Sequence, residues 1–179
     1  VFHLAAIYQL WLKDRKKIYD VNLWGSRNVL WAALKKNIEK VVYTSSIAGI
    51  GISEGTTAST EETTFTHWDS PDYVRTKYLS QEEALGFAKN GLPLVVVNPA
   101  FPFGAGDVAP TPTGKLIIDM LEGKVPAVFE MGMCMVDVDD VAMGHVLAAK
   151  KGRIGEKYIL GPENVSVKEF YRRVGQIAG

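Results

Sequence analysis

Tyr73 and Lys77 stand four apart in "YVRTK", on one face of any helix that holds them. A tyrosine hydroxyl titrates at about 10 when unperturbed, too high to carry protons well at neutral pH. A neighbouring ammonium favours the phenolate and draws that value down. A serine hydroxyl beside the pair can hold a carbonyl or alkoxide oxygen while hydride moves to or from the carbon. Such groups suit carbonyl reduction, alcohol oxidation, or both in succession. The serines to weigh are Ser45, Ser46 and Ser53, all within "VVYTSSIAGIGISEG".

Gly51-Ile52-Ser53-Glu54-Gly55 spells G-x-S-x-G, the pattern of a hydrolase nucleophile elbow. That elbow needs a strand before the serine and a helix directly after it. Ser53 instead follows the strand at a distance and is succeeded by a polar stretch. His67 and His145, its conceivable partners, read as a loop residue and a helix residue. Ser53 is therefore expected to be loop. Ser46, at the end of a buried strand, is the serine expected to do chemistry.

The elements that must position these groups follow from periodicity. Val1 to Leu4 reads as a strand turning at Ala5-Ala6. From about Asp14 to Lys36, Ile18, Val21, Val29, Leu30, Ala33 and Leu34 recur at helical spacing. "KVVYTSS" is a β-branched, aromatic run the length of a buried strand. "GIGISEGTTASTEETT" has no apolar period and reads as loop. Ser70-Pro71 predicts a capped helix start, with the helix running to about Lys89 and closing at Asn90-Gly91. "LPLVVVNP" is another buried strand, ended by Pro99.

"AFPFGAGDVAPTPTG" reads as a Pro/Gly-rich loop before a helix near Lys115 to Glu122. Short strands are expected near Ala127–Phe129 and Met135–Val138, then a helix from Asp139 or Asp140 to about Lys150. "EKYILG" is a last short strand, and Ser166 caps a final helix. Strands alternating with amphipathic helices indicate an α/β fold with a parallel sheet covered on both faces. Ligands bind such sheets beyond the carboxyl ends of the strands. Those ends are Ala5-Ala6, Ser45-Ser46 and Asn98-Pro99.

Composition limits the function classes. The chain has 179 residues, 47% hydrophobic and 22% charged, with zero net charge and no basic block, which gives no footing for nucleic acid or an anionic membrane. Its apolar runs suit buried strands and are too short to span a bilayer. A single cysteine, Cys134, excludes an internal disulfide framework and fits a reducing, cytoplasmic setting. His3, His67 and His145 lack metal-ligand spacing, so no metal site is expected. Asp139 and Asp140 read as acids in a helix's first turn, with Asp137 beside them. Tyr8, Trp11, Phe101, Phe103 and Phe129 are aromatics able to line a pocket. Tyr8 and Phe101, each just after a strand end, are the leading substrate contacts. "VFHLAA" already reads as strand interior and the chain stops in a helical pattern, so a fragment is expected.

"VFHLAA", "NLWGSRNVLWAAL", "VVYTSSIAGIG", "YVRTK", "VVVNPAFPFG" and "VDVDDVAMGHVLA" occur in an order and at spacings that resemble one family. The sequence is similar to extended short-chain dehydrogenases/reductases of the NAD(P)-dependent epimerase/dehydratase type. Within that family "PTPTGKLIIDMLEGKVPA" and "KGRIGEKYILGPENVSVKEF" resemble the hopanoid-associated sugar epimerases and dihydroflavonol reductase-like proteins.

The resemblance implies a Rossmann-type doubly wound parallel sheet whose N-terminal part, with its phosphate loop, is missing. Residues 1–100 would be the remainder of the NAD(P)-binding domain. Residues 101–179 would be mainly a small substrate-binding region, interleaved with returning Rossmann elements. It implies Tyr73 as catalytic acid/base, and Lys77 as holder of the nicotinamide ribose that lowers the tyrosine pKa. Ser46 would bind the substrate oxygen. Ala5, Ala6, Thr44, Asn98 and Pro99 join Tyr73 and Lys77 along NAD or NADP. Asn22 matches an Asn behind the site; an Asn that packs or caps locally would read the same.

One departure bears on substrate. The family's UDP-sugar enzymes usually carry "RDFVHVDD" where this chain has "MCMVDVDD", with Met133 in place of the Arg suited to a pyrophosphate. Weight moves from a sugar nucleotide toward a small aldehyde or ketone. A homodimer through the helices 14–36 and 71–89 is also implied. The alternative function is a non-catalytic, dinucleotide-sensing or scaffold relative, for which the Ser46, Tyr73, Lys77 trio would be unnecessary.

Overall fold

The structure is a computed structural model and describes residues 1–55, 57–125 and 131–179. The strand expected at 127–129, and Phe129 with it, lie outside the described residues. In chain order the elements begin with β1 (Phe2–His3), α1 (Arg15–Tyr19), a π-helical stretch (Asp20–Gly25) and α2 (Ser26–Lys35). β2 (Val41–Thr44), a 3-10 turn (Ile47–Gly49), α3 (Asp72–Lys89) and β3 (Leu94–Pro99) follow. After them come β4 (Phe101–Phe103), α4 (Pro112–Leu121), β5 (Gly132–Asp137) and α5 (Val138–Lys151). β6 (Lys157–Leu160), β7 (Glu163–Ser166) and α6 (Val167–Ala178) close the chain. Two units are distinct: Val1–Pro99 with Ala142–Ile159, and Ala100–Val141 with Leu160–Gly179.

The first unit is built on the sheet β1-β2-β3-β6. β1 and β3 both run parallel to β2, with Phe2 opposite Val42 and Val41 opposite Leu94. Side chains alternate between the two faces. Val41, Tyr43, Leu94 and Val96 join Leu30, Ala33, Ala84 and Leu92 in a core formed with α2 and α3. Val42, Val95 and Val97 are equally buried on the opposite face. α5 lies on that face so closely that a Cβ on Gly152 would come 2.9 Å from Val95 Cγ1. Both faces are covered, so these strands read as unbroken apolar runs. Each fully buried Val or Leu stabilises the sheet by roughly 1.5–3 kcal/mol.

The expected helix 14–36 exists, with Asp14 capping it by accepting from Lys16 N at 3.1 Å. It is interrupted by the π-helical stretch, whose wider turn shifts the helical phase. Ile18, Leu30 and Ala33 are buried as expected, while Val21 and Val29 are exposed. The start of α3 also differs from expectation. Pro71 takes the cap position with no side-chain cap bond, so Ser70 does not cap. Asp72 in the first turn complements the helix dipole and gathers cations instead. It accepts from Arg15 Nε at 2.6 Å, Tyr19 Oη at 2.9 Å and Arg75 Nη2 at 2.5 Å. Those bonds, led by Arg15, hold its carboxyl well below the usual range.

The loop between β2 and α3 is packed rather than loose. Phe65 stacks on Tyr78 of α3 with centroids 4.2 Å apart, and Trp68 meets both rings edge-on. Gly51 lies against the loop's own backbone: a Cβ there would fall 1.9 Å from Thr64 O. Gly51→Ala is therefore expected to destabilise the protein by about 1–3 kcal/mol, read as a lower thermal midpoint. The first glycine of the elbow-like motif serves packing.

The second unit holds the sheet β4-β5-β7, with β4 parallel and β7 antiparallel to β5. β4 falls where composition reads as loop. Pro102 cannot donate to a ladder, and it is tolerated because β4 is an edge strand. β7 was likewise not expected. Met133, Val165 and Phe170 form this unit's core. Ser166 caps α6 as expected, accepting from Glu169 N at 3.1 Å.

Candidate active site

The carboxyl ends of β2 and β3 and the first turns of α3 bring Ser46, Tyr73 and Lys77 together. Ser46 follows β2 in extended backbone and caps the 3-10 turn, its Oγ accepting from Ala48 N at 3.1 Å. Tyr73 is buried in the first turn of α3. Burial pushes its hydroxyl up to about 12, and a hydrogen bond from the side chain of Ser46 works against that rise. Sequence reasoning expects Lys77 to lower this value. Here burial dominates, and the opposing group is Ser46.

Lys77, one turn along α3, is buried, and its Nζ donates to Thr44 O at 3.1 Å. Among the described residues no carboxylate pairs with it. Desolvation lowers it to about 8. Its charge also reaches His3, whose pKa is lowered first by burial and then by Lys77. His3 Nε2 meets Ser26 Oγ at 3.0 Å, so this strand histidine is satisfied locally.

Thr44 carries two roles. Its carbonyl receives Lys77, and its Oγ1 lies 2.8 Å from His145 Nε2 of α5. Nothing in the sequence pairs Thr44 with a residue 101 positions away. Asn98 is fully buried at the end of β3, with Pro99 half-buried beside it. Ala5 and Ala6 lie exposed just past β1. Asn22, within the π-helical stretch, binds Ile7 on both sides: its Oδ1 accepts from Ile7 N at 2.7 Å and its Nδ2 donates to Ile7 O at 3.1 Å. Nδ2 also reaches Thr76 Oγ1 at 3.2 Å, and Thr76 in turn donates to Tyr73 O. The loop leaving β1 is thereby pinned to α3.

Tyr8, next in that loop, has its ring centroid 5.0 Å from Tyr73's. Phe101 lies in the second unit and packs against its Met133, Val165 and Phe170 core, as does Phe103. Trp11 is exposed. Ser45 is buried, and its Oγ has no hydrogen-bond partner among the described residues. Ser53 sits in loop, its amide donating to Ser59 Oγ at 2.9 Å, with neither strand nor helix adjoining. His67 packs on Phe65. The hydrolase elbow is not formed.

Chemically, the cluster offers a phenol, a hydroxyl and a buried ammonium. Lys77 spends one of its three N–H groups on Thr44, leaving donors suited to the vicinal hydroxyls of a ribose. A nicotinamide dinucleotide fits that donor set. Among the described residues no helix is long and apolar enough to cross a membrane.

Comparison with known proteins gives the same picture. A putative dihydroflavonol 4-reductase from Synechocystis is 41% identical over 189 residues, taking in 100% of this chain and 54% of that protein. Sterol demethylase protein B of Methylococcus capsulatus is 31% identical, over 100% of this chain and 55% of its own length. The crystal structure of gox2253 superposes with a TM-score of 0.93 at 42% identity, covering 99% of this chain and 55% of that one. The chain thus spans about half the length of the proteins it matches. Its residues 1–161 match a single family description. This chain belongs to the NAD dependent epimerase/dehydratase family.

Proposed function

We propose that the full-length protein is an NAD- or NADP-dependent oxidoreductase that reduces a carbonyl on a small substrate, or oxidises the matching alcohol. The observation carrying this reading is Lys77, a buried ammonium with no carboxylate partner among the described residues, one turn from a tyrosine hydrogen-bonded by Ser46. Burying a charge unpaired is costly and marks a functional group. A bound nicotinamide supplies or accepts the hydride. In reduction, Tyr73 Oη donates its proton to the carbonyl oxygen while Ser46 Oγ donates a hydrogen bond to the same oxygen. In oxidation Tyr73 takes that proton back. Lys77 holds the ribose and offsets negative charge on the phenolate. Thr44, Asn98, Pro99, Ala5 and Ala6 line the dinucleotide, and Tyr8 touches the substrate.

Two observations favour a small carbonyl over a sugar nucleotide. Met133 is buried in the core of the second unit, so that position offers no guanidinium for a pyrophosphate. The 41%-identical relative is a putative reductase. Epimerase chemistry on a sugar nucleotide is the second reading, favoured by the family alone.

NADH and NADPH oxidation by the full-length protein, with benzaldehyde, dihydroquercetin and UDP-glucose, tests the proposal. Turnover is expected with one of the first two. Epimerisation of UDP-glucose would reverse the substrate reading. Dinucleotide binding without turnover would favour the sensor or scaffold relative. We assign the protein to the cytoplasm on its single, unpaired cysteine. We also assign it a homodimer through α1, α2 and α3, supported by Trp24 and Trp31, each about half exposed. Sedimentation of the full-length protein at a monomer's mass would remove that assignment.

A further inference from the structure

Ser46 is held by Asn98, and Asn98 in turn by Gln81, a side chain that the chemistry above does not use. Asn98 Nδ2 donates to Ser46 O at 2.8 Å and to Gln81 Oε1 at 2.6 Å. Gln81, buried in α3, donates from Nε2 to Gly49 O at 3.1 Å. The turn that begins at Ser46 and ends at Gly49 is thus fixed at both of its end carbonyls, and Gln81 belongs to both fixings. The approach is close. A Cβ on Gly49 would stand 3.0 Å from Ser45 Oγ and 3.3 Å from Gln81 Oε1, so a side chain there would crowd both.

Gln81 follows Lys77 by four residues and Tyr73 by eight, which puts all three on one face of α3. The face that carries the phenol and the ammonium therefore also carries the amide that sets the serine. A buried amide must have its hydrogen bonds met, and a leucine of similar size would pack there with no such demand. Both bonds of this amide end on the serine's turn or on the Asn that holds it.

We propose that Gln81 is a positioning residue that aligns the Ser46 hydroxyl with Tyr73, acting through Gly49 O and Asn98. Its effect on catalysis rests on the oxidoreductase reading; its effect on Ser46 does not.

Two variants of the full-length protein test this. Gln81→Leu removes both bonds at similar volume. Gln81→Glu keeps the acceptor for Asn98, and with it Asn98's hold on Ser46. NADH binding is read by fluorescence, kcat and KM with the carbonyl that wild type turns over, and Ser46 Oγ by crystallography. For Gln81→Leu, kcat is expected to fall about tenfold or more, since misplacements of about 1 Å cost up to 10²-fold. NADH affinity and carbonyl KM should stay within about twofold. Ser46 Oγ should leave its bond to Ala48 N. Gln81→Glu should recover most of the lost kcat.

An unmoved Ser46 in the Gln81→Leu crystal structure would overturn the proposal. So would equal losses in both variants that follow their thermal midpoints. If Gln81→Leu does not fold, the Gln81→Glu structure decides. There Ser46 should stay on Asn98, and a Ser46 released from it would overturn the proposal. If wild type oxidises neither NADH nor NADPH in the presence of any of the carbonyls, the oxidoreductase reading fails, and the position of Ser46 in the variants still decides the role of Gln81.

Discussion

Tyr73→Phe in the full-length protein should lower carbonyl reduction about a thousandfold while NADH affinity changes less than about twofold. General acid–base groups contribute about 10²–10⁴-fold, and Tyr73 is the proton donor assigned here. With its pKa pushed up to about 12, the phenol is the resident form at neutral pH, as donation to a carbonyl oxygen requires. Phenylalanine keeps the ring, and with it the contact to Tyr8 at 5.0 Å. Packing should therefore survive, and the loss should fall on kcat rather than KM. Unchanged turnover would remove Tyr73 from the chemistry, and absent turnover in wild type would support the sensor or scaffold relative.

The second large effect has the opposite sign for stability. Lys77→Met should abolish turnover yet raise the thermal midpoint at pH 7. Burial lowers Lys77 to about 8 from its ordinary 10.5, which corresponds to roughly 3 kcal/mol of charging cost in the folded state. Methionine fills similar space but leaves Thr44 O without its donor, a loss of about 1 kcal/mol. The charging term is larger, so a net gain of roughly 2 kcal/mol is expected.

The pH dependence has a definite direction. Between about 8 and 10.5 the unfolded lysine holds its proton and the folded one releases it, so wild-type stability rises with pH across that window. The advantage of Lys77→Met should thus be full below about pH 8, and above about 10.5 it should turn into a deficit of about 1 kcal/mol, the lost donor to Thr44 O. Thermal melts of both proteins at pH 7 and pH 10.5 check this. A midpoint lower than wild type at pH 7 would mean that Lys77 is paired in the whole protein.

How much of this was legible in the sequence depends on the range of each interaction. β2 and β3 were, because strands covered on both faces read as apolar runs. Tyr73 and Lys77 were, because their spacing alone aligns them on α3. The π-helical stretch was not: a widened turn changes which residues are buried without changing residue type, and so Val21 and Val29 emerged exposed. β4 was hidden by its own composition, a proline between two phenylalanines in a glycine-rich setting. The bond between Thr44 and His145, and the hold of Gln81 on Gly49, join elements far apart in the chain. Only the second left a trace, since Gln81 continues the Tyr73–Lys77 face by one more turn.

The two hydrogen bonds between the Asn22 side chain and the backbone of Ile7 give the loop after β1 a fixed root. That root is clamped by a side chain rather than by a sheet ladder. Sequence drift in the tip, from Tyr8 to Leu12, can therefore change what the loop presents while the clamp and the sheet stay as they are. A lineage could diversify its preferences by altering a handful of codons, with the scaffold inherited intact.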